Sequence, residues 1–309
     1  MGGAATPLLA RWAEAALGQA PPDEPESSCS DCVMCTPEPG PRFLRDVKCC
    51  MYLPALKNFQ VGLALRTDAG RRTTLPRLAD AQNVTPLGLT RGDAQVAPLR
   101  QALAAGRFGQ APALVCPHFD AEEGGRCTIW AARDAVCATW FCRVSRGARG
   151  RGAWHELRDL LTALEELVAR LAAERLGEQP AAEPTWGPWA GRAEAYYERC
   201  ATFAEGLSWD ELRGLGGFGL RFRQRNAREA QRARAVFDPI VWDTPGRWSM
   251  GAVRCDRGED GLVYAFGDGP YQPVVLTEAE WADVQAGGGA GLTEALARRL
   301  VDQHIWVAD

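Results

Sequence analysis

The clearest periodic signal in the chain lies between Trp154 and Leu176. Leu157, Leu160, Leu161, Leu164, Leu167, Val168 and Leu171 recur every three or four residues, which lays one apolar stripe along a helix. Gly177 supplies a stop and Pro180 follows it. Similar spacing predicts helices over 3–18, from Leu8, Leu9, Trp12, Ala16 and Leu17, and over 189–206, with Tyr196, Tyr197 and Phe203. Residues 96–106 suggest a short helix, and LPALKNFQVGLALRTD reads as a short helix or strand leading into a polar stretch. Ser208 to Glu211 and Thr277 to Glu280 have capping-box spacing, Ser or Thr accepting from the backbone and Glu reaching back. RGARGRG at 146–152 is Gly- and Arg-rich, with no large apolar residue to pack, and predicts a boundary.

Beyond 246 the period shortens. WSMGAVRC, GLVYAFG and YQPVVL read as strands, 292–301 as a last helix and HIWV as a final strand. The fold class expected is α+β, in four parts: an N-terminal helix and linker (1–26), a loop-rich cysteine segment (27–145), a helical segment (154–245) and a small α+β module (246–309). The order of elements in that module is similar to small winged-helix domains, including peptide-binding elements of ribosomal-peptide modification systems. The resemblance implies a protein or peptide partner on an exposed strand edge.

Composition narrows the class. Apolar residues make up 46% and charged residues 24% of 309 residues, a normal globular balance. No apolar run approaches the roughly 18 residues of a membrane span, and no signal peptide is visible, so a cytoplasmic, reducing compartment and no membrane partner are expected. A net charge of -4 argues against a nucleic-acid partner. Seven arginines between Arg213 and Arg234 are spaced around a helix, as in a solvated face. Only two of the 35 basic residues are lysines, Lys48 and Lys57.

The cysteines change the picture. Of 11, nine fall in two groups: Cys29, Cys32, Cys35, Cys49 and Cys50, then Cys116, Cys127, Cys137 and Cys142. A disulfide knot, a redox dithiol and metal ligation compete. A reducing compartment disfavours the first. The Ser, Asp and Pro surroundings and the many companion thiols disfavour the second. Paired C-x2-C turns aim thiolates at one ion and serve zinc and iron–sulfur clusters alike. The adjacent pair Cys49-Cys50 closes a disulfide only as a strained ring, whereas as ligands the two can serve different ions.

The order of elements resembles the YkgJ-type cysteine-cluster family, a zinc- or iron-chelating domain. Cys29 and Cys32 match its first pair, and Cys49 and Cys50 its doublet. Cys116, Pro117 and Asp120 match its C-P-aromatic-x-D element. Gly125, Cys127, Ile129 and Trp130 match G-x-C-x-I-aromatic, Arg133 and Cys137 match R-P-x-x-C-R, and Cys142 matches the last cysteine. The chain departs from the pattern at Asp134 and Ala138 and in carrying Cys35 between pair and doublet. The resemblance covers about 27–145. It implies metal bound by Cys29, Cys32, Cys35, Cys49, Cys50, Cys116, Cys127, Cys137 and Cys142, as an iron–sulfur cluster or zinc. Flagellin lysine methylases are similar in this cluster and are associated with an iron–sulfur centre, which implies a metal-dependent protein- or peptide-modifying enzyme as an alternative. A metal carrier or adaptor is the other.

The remaining features also have structural explanations. His118 stands two residues after Cys116, as a ligand or a neighbour of ligands. Asp31 and Asp120 suit turn capping. Arg126, Arg133 and Arg143 suit either the surface or compensation of thiolate charge. Trp130, Trp140 and Phe141 are expected to cover the cluster. No Ser-His-Asp spacing or carboxylate pair stands out, and three histidines leave little for general-base chemistry.

Overall fold

In the computed structural model, eleven α-helices and short antiparallel strands stand among the described residues, in keeping with the α+β class. The structure describes residues 7–24, 29, 32–35, 43–122, 125–142, 144, 146–177, 185–235, 248–251, 253–267, 273–287, 292–303 and 305–308. The helices of the first three parts are α1 (Pro7–Leu17), α2 (Asn58–Leu65), α3 (Asp68–Leu78), α4 (Asp93–Ala104), α5 (Ala135–Ala138), α6 (Gly147–Gly177), α7 (Ala193–Gly206), α8 (Trp209–Leu215) and α9 (Gly217–Ala235). Two short hairpins, β1 (Val84–Thr85) with β2 (Gly88–Leu89) and β3 (Phe119–Asp120) with β4 (Arg126–Cys127), interrupt them. The boundary expected at 146–152 falls at the start of a helix rather than in an unpacked run. Helix α6 starts at Gly147, and Gly147 and Gly150 are buried, so small residues there allow close packing where large apolar ones are missing.

One hydrophobic core takes in α1, α2, the segment 129–144 and α6 to α9. Leu157, Leu160, Leu161, Leu164 and Val168 of the α6 stripe are buried in it. Helix α2 crosses α7 so closely that a Cβ at Gly62 would come 2.0 Å from the Tyr197 carbonyl oxygen. The turn joining β1 and β2 is tied to both helices: Asn58 donates to Pro86 O at 3.0 Å and to Ala169 O at 2.9 Å, Tyr196 to Pro86 O and Tyr197 to Thr85 O.

Helix α9 keeps Leu220, Gln224, Ala227 and Gln231 inward. Its arginines divide by role. Arg228 donates to Ala16 O, and buried Arg234 pairs with Glu24 at 2.7 Å. Arg221, Arg223, Arg225 and Arg232 face solvent, as expected of a solvated face.

The C-terminal part has its own core, built from Val263, Val274, Leu276, Trp281, Leu300, Ile305 and Trp306 among others. WSMGAVRC, read as one strand, divides into β5 (Trp248–Met250) and β6 (Arg254–Arg257). Strands β6, β7 (Leu262–Phe266) and β8 (Val274–Thr277) form a meander. Helices α10 (Glu278–Gln285) and α11 (Glu294–Asp302) follow, and β9 (Trp306–Ala308) returns to pair with β5. The capping boxes at Ser208 and Thr277 both form. No helix among the described residues is long and apolar enough to cross a membrane.

Candidate metal centre

The two cysteine groups, far apart in sequence, meet in the fold. Helix α2 and α6 hold the second group in place. Gln60 of α2 donates to Arg133 O at 3.3 Å and to Glu165 Oε1 at 2.7 Å, and the same Glu165 oxygen accepts from Ala135 N at 2.6 Å. These bonds fix the start of α5. Asp134 caps that helix by accepting from Cys137 N at 2.8 Å. Cys127 lies on β4 opposite Phe119. Cys116 N donates to Cys50 O at 2.6 Å, which joins the doublet directly to the second group.

The first group is bound in turn. Cys32 and Cys35 close a single tight turn, Cys35 N on Cys32 O at 2.9 Å, and their thiols are hydrogen-bonded. Lys48, in a turn over 45–50, donates from Nζ to Cys29 O at 2.5 Å and to Gly125 O at 3.1 Å.

The nine thiols form one electrostatic network. Cys29 interacts with Cys49, Cys142 and Cys32, Cys32 with Cys35, and Cys49 with Cys50. Cys127 interacts with Cys29 and Cys49, and Cys137 with Cys116 and Cys127. The guanidinium of Arg133 lies within reach of Cys127, Cys137, Cys29 and Cys49. It stacks 3.4 Å from the Trp130 ring centre and donates to Cys137 O. Among the described residues, no three His, Cys, Asp or Glu side chains are arranged to hold a metal ion. The thiols are neighbours rather than a formed polyhedron.

Burial sets their acidity. It is the main cause pushing Cys116 up to about 12 and Cys127 up to about 11, with repulsion from other thiols adding to it. Cys32 rises to about 11 for the same reason, and Cys29, although its surface reaches solvent, is pushed to about 11 by the protein packed around it. Cys49 and Cys137 are also raised well above the ordinary thiol value, Cys49 chiefly by its bond to Cys50 and Cys137 by burial. Without a bound cation these groups are neutral thiols at pH 7. The donor set fits a thiophilic metal, since thiolate–metal bonds offset the burial that otherwise keeps sulfur protonated.

His118 is not placed as a ligand. Its Nδ1 meets Thr73 Oγ1 at 2.9 Å and its Nε2 meets Arg77 at 3.0 Å. Burial, then Arg77, pushes it down to about 3, so it is a neutral ring with both nitrogens engaged. Arg77 also donates to Pro54 O and Thr90 O. Asp120 caps its turn, accepting from Glu122 N, and pairs with Arg72 at 3.4 Å. Arg72, Thr73, Asp120, Glu122 and Thr128 are among the residues that line an open cleft of about 510 Å³ beside β3.

The aromatic cover divides. Trp130 packs on Arg133, Trp140 on Phe108 at 5.2 Å, and Phe141 turns away to Trp154 in the helical core at 4.4 Å. Asp31, Arg143 and His304 lie outside the described residues. Cys200 is a core thiol on α7 beside Tyr196, and Cys255 sits on β6. Sequence reasoning passed over Tyr52, Arg91 and Lys48. Tyr52 donates to Asp134 Oδ2 at 3.4 Å, and Arg91 bonds to Tyr52 OH and covers its ring. For Lys48 a signal existed, the scarcity of lysine.

No family model, curated protein or solved structure matches the chain.

Proposed function

We propose that the chain is a cytoplasmic metal-binding protein of the YkgJ-type, its clustered cysteines holding an iron–sulfur cluster or zinc. The observation that carries this reading is the convergence of nine thiols from two sequence groups into one network around Arg133. Core packing alone gives no reason for so many neighbouring thiols. Cys29, Cys32, Cys35, Cys49, Cys50, Cys116, Cys127, Cys137 and Cys142 form the pool from which ligands are drawn. Zinc there would cross-link the segments, and an iron–sulfur cluster would add electron transfer. Arg133 offsets thiolate charge, while Trp130 holds its guanidinium in place.

A second reading, a metal-dependent protein- or peptide-modifying enzyme, draws on the polar array beside the thiols. Asp134, whose carboxyl is raised by burial, contacts both Tyr52 and the backbone of Cys137. Such a group next to a metal centre suits proton transfer to a bound substrate. A metal carrier needs none of this array.

The deciding experiment is metal and acid-labile sulfide analysis of chain purified without oxygen, with a visible spectrum. Iron and sulfide in similar amounts with a brown colour support the cluster, and colourless protein with zinc supports the zinc form. Metal-free protein would overturn the proposal.

A further inference from the structure

We propose that Lys48 is the positioning residue that fastens the first cysteine group to the second. Its effect on metal rests on the thiol–metal reading, but its geometry does not.

Three cysteine-bearing segments meet at one ammonium. Lys48 precedes the Cys49-Cys50 doublet, and its Nζ donates to the carbonyl of Cys29 and to that of Gly125, two residues before Cys127. Lys48 is 7% exposed, and its ammonium lies over the Phe119 ring of the same hairpin, 5.8 Å from its centre. The backbone of Lys48 has φ of 52°, a left-handed conformation that side chains other than Gly, Asn and Asp rarely adopt. That conformation sends the lysine inward from the turn. Holding a non-glycine residue there costs about 1 kcal/mol or more, which the two bonds, the one to Gly125 buried, offset.

The sequence also singles out this position. Only two of the chain's 35 basic residues are lysines, and one is placed here. An ammonium is compact and directs three donors tetrahedrally, whereas guanidinium is a broad planar fork. The space is tight. A Cβ at Gly125 would come 2.5 Å from Nζ and 3.1 Å from Phe119, and Gly125 itself has φ of +73°. Lysine fits between the two carbonyls, and arginine needs room that the hairpin does not have. Lys57 differs: its Nζ is 3.9 Å from Glu166 at the surface, where arginine serves equally well.

The test is anaerobic titration of the full, reduced chain with cobalt(II), read by thiolate-to-cobalt absorbance. Variants are Lys48→Met, Lys48→Arg and Gly125→Ala, with Lys57→Arg as the neutral control and Leu164→Ala as a control for lost stability. The two Lys48 variants and Gly125→Ala should bind cobalt at least tenfold more weakly, with lower absorbance per bound ion. Lys57→Arg should match wild type. Leu164→Ala should melt earlier yet keep the wild-type absorbance per ion. If Lys48→Met and Lys48→Arg titrate like wild type, the proposal is overturned. Should wild type itself bind no cobalt, the thiol–metal reading falls, and alkylation of the metal-free chain decides Lys48 alone. Faster alkylation of Cys29 and Cys127 in Lys48→Met than in Lys57→Arg sustains the fastening role, and equal rates overturn it.

Discussion

Asn58 shows how a single side chain sets the geometry on which the site depends. It is fully buried and spends both amide hydrogens on carbonyls, Pro86 O in the β1–β2 turn and Ala169 O in the middle of α6. We predict that Asn58→Ala lowers stability by about 2 kcal/mol, the loss of two buried hydrogen bonds at roughly 1 kcal/mol each, measured by urea unfolding. At the thiols the expected effect is on metal. Cys32→Ser and Cys137→Ser should each lower bound metal, whereas Cys200→Ser, in the α7 core beside Tyr196, should leave it unchanged. Metal content unaltered in both of the first two variants would reject a site built from two groups. That the two groups belong together was legible in the sequence from the order of their spacings. The bonds that join them were not. Lys48 to Cys29 O and Cys116 N to Cys50 O are side-chain-to-backbone and backbone-to-backbone contacts, and no residue pattern encodes them beyond the rarity of lysine.

Between elements, Glu165 is where α2, α5 and α6 are tied. Burial first, and the neighbouring Asp134 carboxyl second, raise its pKa well above 4.5, while the bonds from Ala135 N and Gln60 and the charge of Lys57 pull the other way and lose. The folded chain therefore holds a proton that the unfolded chain releases above about 4.5. Stability from this group is fully present below that pH and is lost as pH rises toward the raised folded value. We predict that Glu165→Gln flattens the fall of stability on the alkaline side by up to one proton's worth, about 1.4 kcal/mol per pH unit, in unfolding measured from pH 5 to 8. An unchanged slope would show that Glu165 is ionised in the fold. A second tie joins the segment after α1 to α6 and α9, where Glu24 accepts from Trp154 Nε1 at 2.6 Å and from Arg234 at 2.7 Å. Glu24→Ala should cost about 3 kcal/mol, since one partner of a buried ion pair is removed. Helices with an apolar stripe, α1, α6 and α7, were legible, as were the two capping boxes. Helix α3 was not. Its sequence DAGRRTTLPRL is polar and contains Pro76, so no period marks it. It is helical because Thr67 caps it, accepting from Gly70 N, and because Thr73 and Arg77 hold His118. The paired strands β1 to β4 are two residues each, too short to show alternation.

Across the whole molecule the packing separates what metal should and should not stabilise. The thiols lie against the first core, through Ile129, Ala132, Ala135 and Ala138 and through the partly buried Cys127, whereas the module from β6 to β9 has its own core around Trp281 and Trp306. A ligand that binds only the folded form stabilises the cooperative unit it touches, and local opening elsewhere keeps its own free energy. Metal bridging Cys29–Cys50 to Cys116–Cys142 closes loops within the first unit alone. We therefore predict that a chelator, applied to the metal-loaded chain, raises amide hydrogen exchange across residues 43–142. It should leave exchange in β6, β7 and β8 within error of the untreated protein. Equal loosening of both units would mean that the module depends on the centre, and α11, which packs on α6, would then be the element that transmits the change. No loosening in 43–142 would mean that the hydrogen bonds of Gln60, Glu165 and Lys48 hold the thiol segments together without metal. The centre would then be preformed, as suits a carrier that must release its ion without unfolding.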